Sequence, residues 1–163
     1  MDVIIREAVQ DDIASIQKIY NQGIEDRIAT LETELKDSAF MQDWFDKHQG
    51  RYQVIIIEYN NRILGWASLN VYNPREAYKG VADLSIYIDR DYRGKGLGGK
   101  LIDVIEGIAV KNLFHKIVLS TFNFNKVGQA LYRKKGYREV GVFKNQGILD
   151  DKFVDVMVME KLL

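Results

Sequence analysis

Arg93-Gly94-Lys95-Gly96-Leu97-Gly98 has the residue types and spacing of an anion site. It follows an alternating, β-rich segment, Asp83-Leu84-Ser85-Ile86-Tyr87-Ile88, and opens a segment with Leu97, Leu101, Ile102, Ile105, Ile108 and Ala109 at helical spacing. Glycines let successive N–H groups point one way, and the first turn of a helix leaves its N–H groups unpaired at the positive end of its dipole. A pyrophosphate fits such a turn, with Arg93 and Lys95 adding charge at its rim. No Gly-Lys-Ser/Thr closes the loop, and the spacing of a dinucleotide fold with its downstream acidic residue is missing.

Elements that would position this loop are readable along the whole chain. Val3 to Glu7 is a short strand, and Asp11 caps a helix with Ile13, Ile16 and Tyr20 on one face. A second helix runs from about Asp37 to His48. Strands Tyr52 to Tyr59 and Arg62 to Val71 flank Asn60-Asn61, a hairpin turn signal. The strand ending at Ile88 and the helix to about Lys111 follow, then a strand Lys116 to Ser120 and a helix Asn125 to Lys135. Strands Tyr137 to Lys144 and Phe153 to Leu162 close the chain. The order βααβββαβαββ predicts an α/β fold with a mixed sheet, hairpins early and helix crossovers late.

Composition bounds the function class. The 163 residues suffice for one domain spanning 1–163, without linker or repeat. Basic and acidic residues number 23 each, so no global field argues for nucleic acid. Cysteine is absent, which removes disulfides, thiolate metal sites and a cysteine nucleophile. His48 and His115 have no partner at ligand spacing; no metal is expected, and both read as ordinary surface or packing histidines. The first residues lack the apolar core of a signal peptide and no apolar run approaches a membrane span, so a soluble, cytoplasmic protein is expected.

The glycine loop resembles the acetyl-CoA loop of the GNAT superfamily of N-acetyltransferases, Arg/Gln-x-x-Gly-x-Gly/Ala, matched by Arg93, Gly96 and Gly98. The order of elements is also that of a GNAT domain. Asn125, Tyr132 and the Gly136-Tyr137 turn resemble the pattern in which an Asn contacts the pantetheine arm and a Tyr seven residues on approaches the thioester sulfur. The resemblance implies acetyl-CoA as cosubstrate, held by Ile86, Tyr87, Ile88, Arg93, Gly94, Lys95, Gly96, Leu97, Gly98, Asn125 and Tyr132. Backbone N–H groups near Ser85 to Tyr87 would polarise the thioester carbonyl if the strand bulges, as it does in the family.

Within the superfamily, several stretches resemble the phosphinothricin and methionine sulfoximine acetyltransferase group. They include Ile19-Tyr20-Asn21, Ala29 to Glu34, Arg75-Glu76-Ala77-Tyr78, Ala82 to Tyr87 and Val154-Asp155-Val156. The chain departs from the group at Leu31, usually Phe, at Asp83, usually Glu, at Lys126-Val127-Gly128, where Asp-Pro-Ser is common, and at Val154, where a His often precedes the Asp. That likeness implies direct transfer of acetyl to the α-amine of a small amino-acid-like acceptor. Asp83 is then the candidate base that deprotonates the amine, and Tyr132 the donor to the leaving sulfur. Arg75 and Tyr78 would hold an acidic acceptor group and Glu32 and Glu34 its ammonium, in a site shared within a homodimer.

Read without the family, Asn125 is a helix cap, Tyr132 a core aromatic, Asp83 the solvent side of a strand, and Arg75, Glu32 and Glu34 solvated charges. Two other functions fit the same features. One is a GNAT enzyme for another amine class, such as protein N-termini, polyamines or aminoglycosides; the other is a CoA-binding regulatory protein without turnover.

Overall fold

The computed structural model describes residues 1–163. Strands β1 (Ile4–Glu7), β2 (Val54–Tyr59), β3 (Arg62–Val71), β4 (Val81–Ile88), β5 (Lys116–Phe122), β6 (Arg138–Leu149) and β7 (Lys152–Leu162) form one sheet in the order β1-β2-β3-β4-β5-β7-β6. Helices α1 (Ile13–Glu25) and α2 (Ser38–Lys47) lie between β1 and β2, α3 (Leu97–Lys111) joins β4 to β5, and α4 (Lys126–Lys134) joins β5 to β6. The mixed α/β order is the one read from the sequence. No helix is long and apolar enough to cross a membrane.

Local chemistry explains most boundaries. Asn60 and Asn61 both adopt positive φ, 49° and 61°, the left-handed pair that a tight two-residue hairpin requires. Asp37 accepts from the Phe40 N–H at 2.8 Å and starts α2. Three expectations need correction. Asp11 does not cap α1, because the chain first makes a 3-10 turn, Gln10–Asp12. Asp12 instead accepts from the Val9 N–H and takes a two-pronged contact from Arg6 at 2.8 and 3.0 Å. Strand β5 runs past Ser120, since Thr121 and Phe122 pair with Met157 and Val156 and are buried. Strand β6 continues to Leu149. Asn145, which resembles a turn residue, takes its positive φ of 50° where the register slips between Phe143 and Gly147, while Asp150 and Asp151 make the reversal.

Two cores sandwich the sheet. On one face α3 lays Leu101, Ile102, Ile105 and Ala109 against Ile55, Ile57, Leu69 and Ile117. On the other, α1 and α2 bring Ile13, Ile16, Ile19 and Met41 onto Val54, Ile56 and Trp66. Strand β3 pairs with β4 in unbroken register, so Trp66, Ser68 and Asn70 stand beside Tyr87, Ser85 and Asp83 on this second face. The strip is thus aromatic at one end and polar at the other. Trp66 is 1% exposed, with Tyr87 stacked at 4.9 Å and Trp44 edge-on at 5.3 Å, yet its indole N–H has no partner.

Chemical denaturation checks this reading of Trp66. Trp66→Ala is expected to cost about 3–5 kcal/mol through the cavity it opens. Trp66→Phe should cost roughly half as much, because it also removes the unsatisfied donor.

Candidate active site

The parallel pairing of β4 with β5 covers only Val81, Ala82 and Asp83, opposite Lys116, Ile117 and Val118. Beyond Asp83 the strands diverge, leaving one backbone edge of Leu84 to Ile88 without a strand partner. The expected bulge in β4 is absent, since its register with β3 is continuous from Ala82 to Ile88. The divergence exposes backbone donors in its place. Between the strands lies a cleft of about 240 Å³, bordered by Asp83, Ser85, Ile86 and Tyr87 on one side and by Thr121, Asn125 and Tyr132 on the other.

At the mouth of α3, Gly94 and Gly96 have φ of 75° and 80°, a region L side chains rarely adopt. Gly96 caps α3, and nothing stands within 4 Å of a Cβ built at either glycine. The first-turn N–H groups of α3 therefore meet open space beside Leu97, as an incoming phosphate needs. Gly98 has a different reason for lacking a side chain. Its Cβ would stand 3.3 Å from Leu131 Cδ2, so it lets α3 and α4 approach.

Arg93 is not a free rim charge. It donates through Nη1 to Asp26 at 2.8 Å and through Nε to the Ile88 carbonyl at 3.3 Å, tying the end of β4 to the end of α1. A folded chain satisfies a half-buried guanidinium internally where carboxylates stand near, and Asp26 also binds Arg90. The rim charge belongs to Lys95, exposed and 5.1 Å over the Tyr92 ring. Ile88, with its carbonyl taken by Arg93, stands beyond the cleft that Ile86 and Tyr87 border.

Asn125 does what a helix cap does and also faces the cleft. Its Oδ1 accepts from the Gly128 N–H at 3.0 Å and its Nδ2 donates to Thr121 Oγ1 at 3.1 Å, which fixes the amide. Tyr132 is about two turns further along α4, its hydroxyl pushed up to about 12 by burial. Asp83 is half-buried. Burial pushes its carboxyl up to about 6, against the opposing hydrogen bond that Asn70 Nδ2 donates to Oδ2 at 3.1 Å. Acid and base candidates thus share one cleft with pKa values far apart.

Sequence reading missed the residues behind Asp83. Asn70 also donates to Ser85 Oγ at 2.9 Å, and its Oδ1 meets Ser68 Oγ at 2.9 Å and His48 Nε2 at 2.7 Å. His48 is therefore no ordinary packing histidine. Only the β3–β4 register, which places Asn70 opposite Asp83, would have revealed the group.

None of the four expected acceptor residues lines the cleft, although the Glu32 carboxylate stands near enough to Tyr20 and Tyr87 to help raise their hydroxyls. Arg75 and Tyr78 sit on the exposed 3-10 turn between β3 and β4, where Tyr78 leans on Tyr72 at 5.7 Å. Glu32 is exposed and paired with Lys36 at 2.8 Å, and Glu34 is exposed. What adjoins Asp83 on the side away from Tyr132 is a cavity of about 460 Å³, walled by Tyr72, Val118, Val140, Phe143 and Val158.

Residues 15–137 match the acetyltransferase (GNAT) family. A candidate phosphinothricin acetyltransferase of Bacillus subtilis (strain 168) is 30% identical over 98% of each chain. The L-methionine sulfoximine/L-methionine sulfone acetyltransferase of Pseudomonas aeruginosa is 28% identical over 98% of this chain and 94% of its own. The crystal structure of a GNAT phosphinothricin acetyltransferase from Sinorhizobium meliloti with acetyl-CoA superposes with a TM-score of 0.95 at 26% identity, covering 100% of this chain and 89% of that one. A match over most of the length, on a sheet that opens beside a helix with an open glycine mouth, makes the assignment plain: the chain belongs to the acetyltransferase (GNAT) family and is an acetyl-CoA-dependent N-acetyltransferase.

Proposed function

We propose that the chain moves acetyl directly from acetyl-CoA to the α-amine of a small amino-acid-like acceptor, with residues 1–163 as one catalytic domain. The observation that carries this reading is the pair Asp83 and Tyr132 at the divergence of β4 from β5, one a carboxyl poised near 6 and the other a hydroxyl kept protonated. An ammonium at neutral pH is not nucleophilic, so Asp83 takes its proton. Unpaired N–H groups of β4 beyond Asp83 polarise the carbonyl. Tyr132 donates to the departing sulfur. Gly94, Lys95, Gly96 and the first turn of α3 hold the pyrophosphate, and Asn125 the pantetheine arm.

The acceptor class rests on what the relatives act on, methionine sulfoximine, methionine sulfone and phosphinothricin. The apolar cavity beside Asp83 suits the aliphatic part of such a side chain. Arg75, Tyr78, Glu32 and Glu34 complete the acceptor site from outside the single-chain cleft, which we attribute to a homodimer. Supporting this, β6 is a sheet edge that exposes Val140, Phe143 and Ile148, with Phe153 exposed on β7. Acetyl-CoA use fits a cytoplasmic setting.

Steady-state assays over pH test the base. kcat/KM should rise as pH rises through about 6, where the Asp83 carboxyl ionises. Asp83→Asn should flatten that limb and lower the plateau by about 10²- to 10⁴-fold. A limb that survives the substitution overturns the role. An acceptor panel tests the substrate class: methionine sulfoximine, methionine sulfone and phosphinothricin should outrun peptides, polyamines and aminoglycosides, and the reverse ranking defeats the proposal. Light scattering should give twice the chain mass, and a monomer that acetylates amino acids at full rate would remove the shared site.

A further inference from the structure

His48 ends α2 on the side of the sheet opposite α3, and both of its ring nitrogens face oxygen. Nδ1 lies 2.8 Å from the Trp44 carbonyl, which can only accept, and Nε2 lies 2.7 Å from Asn70 Oδ1. Satisfying both contacts takes two N–H groups, which is the imidazolium. On the far side of Asn70, Nδ2 donates to Asp83 Oδ2, an arrangement that suits an ionised carboxylate. Ser68 and Ser85, the other partners of the amide, have hydroxyls that can donate or accept, so they do not fix its orientation. The choice is left to His48 and Asp83.

With one titratable proton between Asp83 and Nε2 of His48, two fully bonded arrangements exist. In the first, Asp83 is a carboxylate, Asn70 turns Nδ2 toward it, and His48 is charged. In the second, the amide is turned over, a protonated Asp83 donates to Oδ1, and Nδ2 donates to a bare Nε2 of a neutral His48. Both carry the same number of protons. A protonated Asp83 facing a charged His48 is bonded as well, because its carbonyl oxygen still accepts from Nδ2, whereas a carboxylate facing a neutral His48 leaves a contact unmade in a half-buried group, which is costly.

We propose that His48 is a positioning residue for acetyl transfer, acting through Asn70 to keep Asp83 ionised and ready to accept the amine proton. This rests on the reading of Asp83 as the base. His48 also borders a separate cavity, of about 270 Å³, that shares no lining residue with the cleft. There it meets solvent and Glu7 of β1, the other ionisable residue in that wall; Asp46 and Lys47 on its own helix are exposed. Around Asp83 itself stand Tyr87 and Tyr132 in the cleft and Tyr72 in the apolar cavity. None of these offers Asp83 a positive charge, so His48 is the cation within reach of its hydrogen-bond network.

The sign is fixed by linkage. A cation coupled to Asp83 lowers the pH at which its carboxyl ionises, and the coupling acts in both directions. Nitrogen NMR of the unmodified protein reads the ring directly, with His48 and His115 the two histidines and His115→Gln identifying the second. Both His48 nitrogens should carry protons while Asp83 is ionised, and the midpoint for losing one should fall in Asp83→Asn. In kinetics, His48→Gln supplies an amide that can serve Asn70 in either orientation. It should move the acidic limb of kcat/KM upward by about half to one pH unit and leave the plateau above it. Asn70→Ala should abolish the effect of Asp83→Asn on the His48 midpoint. A neutral His48 at pH values where Asp83 is ionised, a midpoint indifferent to Asp83→Asn, or a lowered plateau with an unmoved limb would each overturn the proposal. If the limb survives Asp83→Asn the base assignment fails instead, whatever the ring nitrogens report.

Discussion

Backbone pairing between β4 and β5 lasts for three residue pairs and then stops, although the sheet continues on both sides of the gap. A sheet interior normally leaves no N–H or C=O unmatched, so an opening there must be filled by something that can use those groups. Every element of the site is arranged around this opening. Helix α3 begins at its lip, α4 crosses its far wall, and Asp83 is the last paired residue before the strands part. A linear, amide-bearing arm is the kind of molecule that can lie along such an edge as a further strand does.

Charge fastens the lip in place. Asp26, at the end of α1, is held below the ordinary carboxylate range first by Arg90 and then by Arg93, and Arg93 reaches the last carbonyl of β4. Arg62 binds the buried Asp89 just beyond the strand. Each pair is partly solvated and worth little by itself. The two joined through Asp26, from Arg90 and Arg93, connect α1, β4 and the glycine loop, so the loop inherits its position from ion pairs within the chain.

Much of this was legible in the sequence because it depends on local chemistry. Asn60-Asn61 needs two left-handed residues, and Asp37 and Asn125 are caps with free N–H groups ahead of them. The period-two strands and the α3 stripe follow from burial on one face. What escaped depends on long-range register. Nothing near Asn70 in sequence says that it faces Asp83, and nothing near Arg93 says that Asp26, far earlier in the chain, will claim it. Asn145-Gln146-Gly147 has turn chemistry, but a bulge uses the same backbone conformation, and only the β7 partner decides between them.

The glycine at position 98 carries a mechanical consequence. Because it has no side chain, Leu131 seats against α3, and the residue after Leu131 is Tyr132. Lys135, one turn on, binds Asp103 of α3 at 2.7 Å. The two helices are thereby clamped at two points, with the glycine mouth on one and Tyr132 on the other. With the cosubstrate placed as proposed, distance along it is gauged as a fixed span between helices. An acyl carrier with a shorter or longer arm would be caught at one end and out of reach at the other.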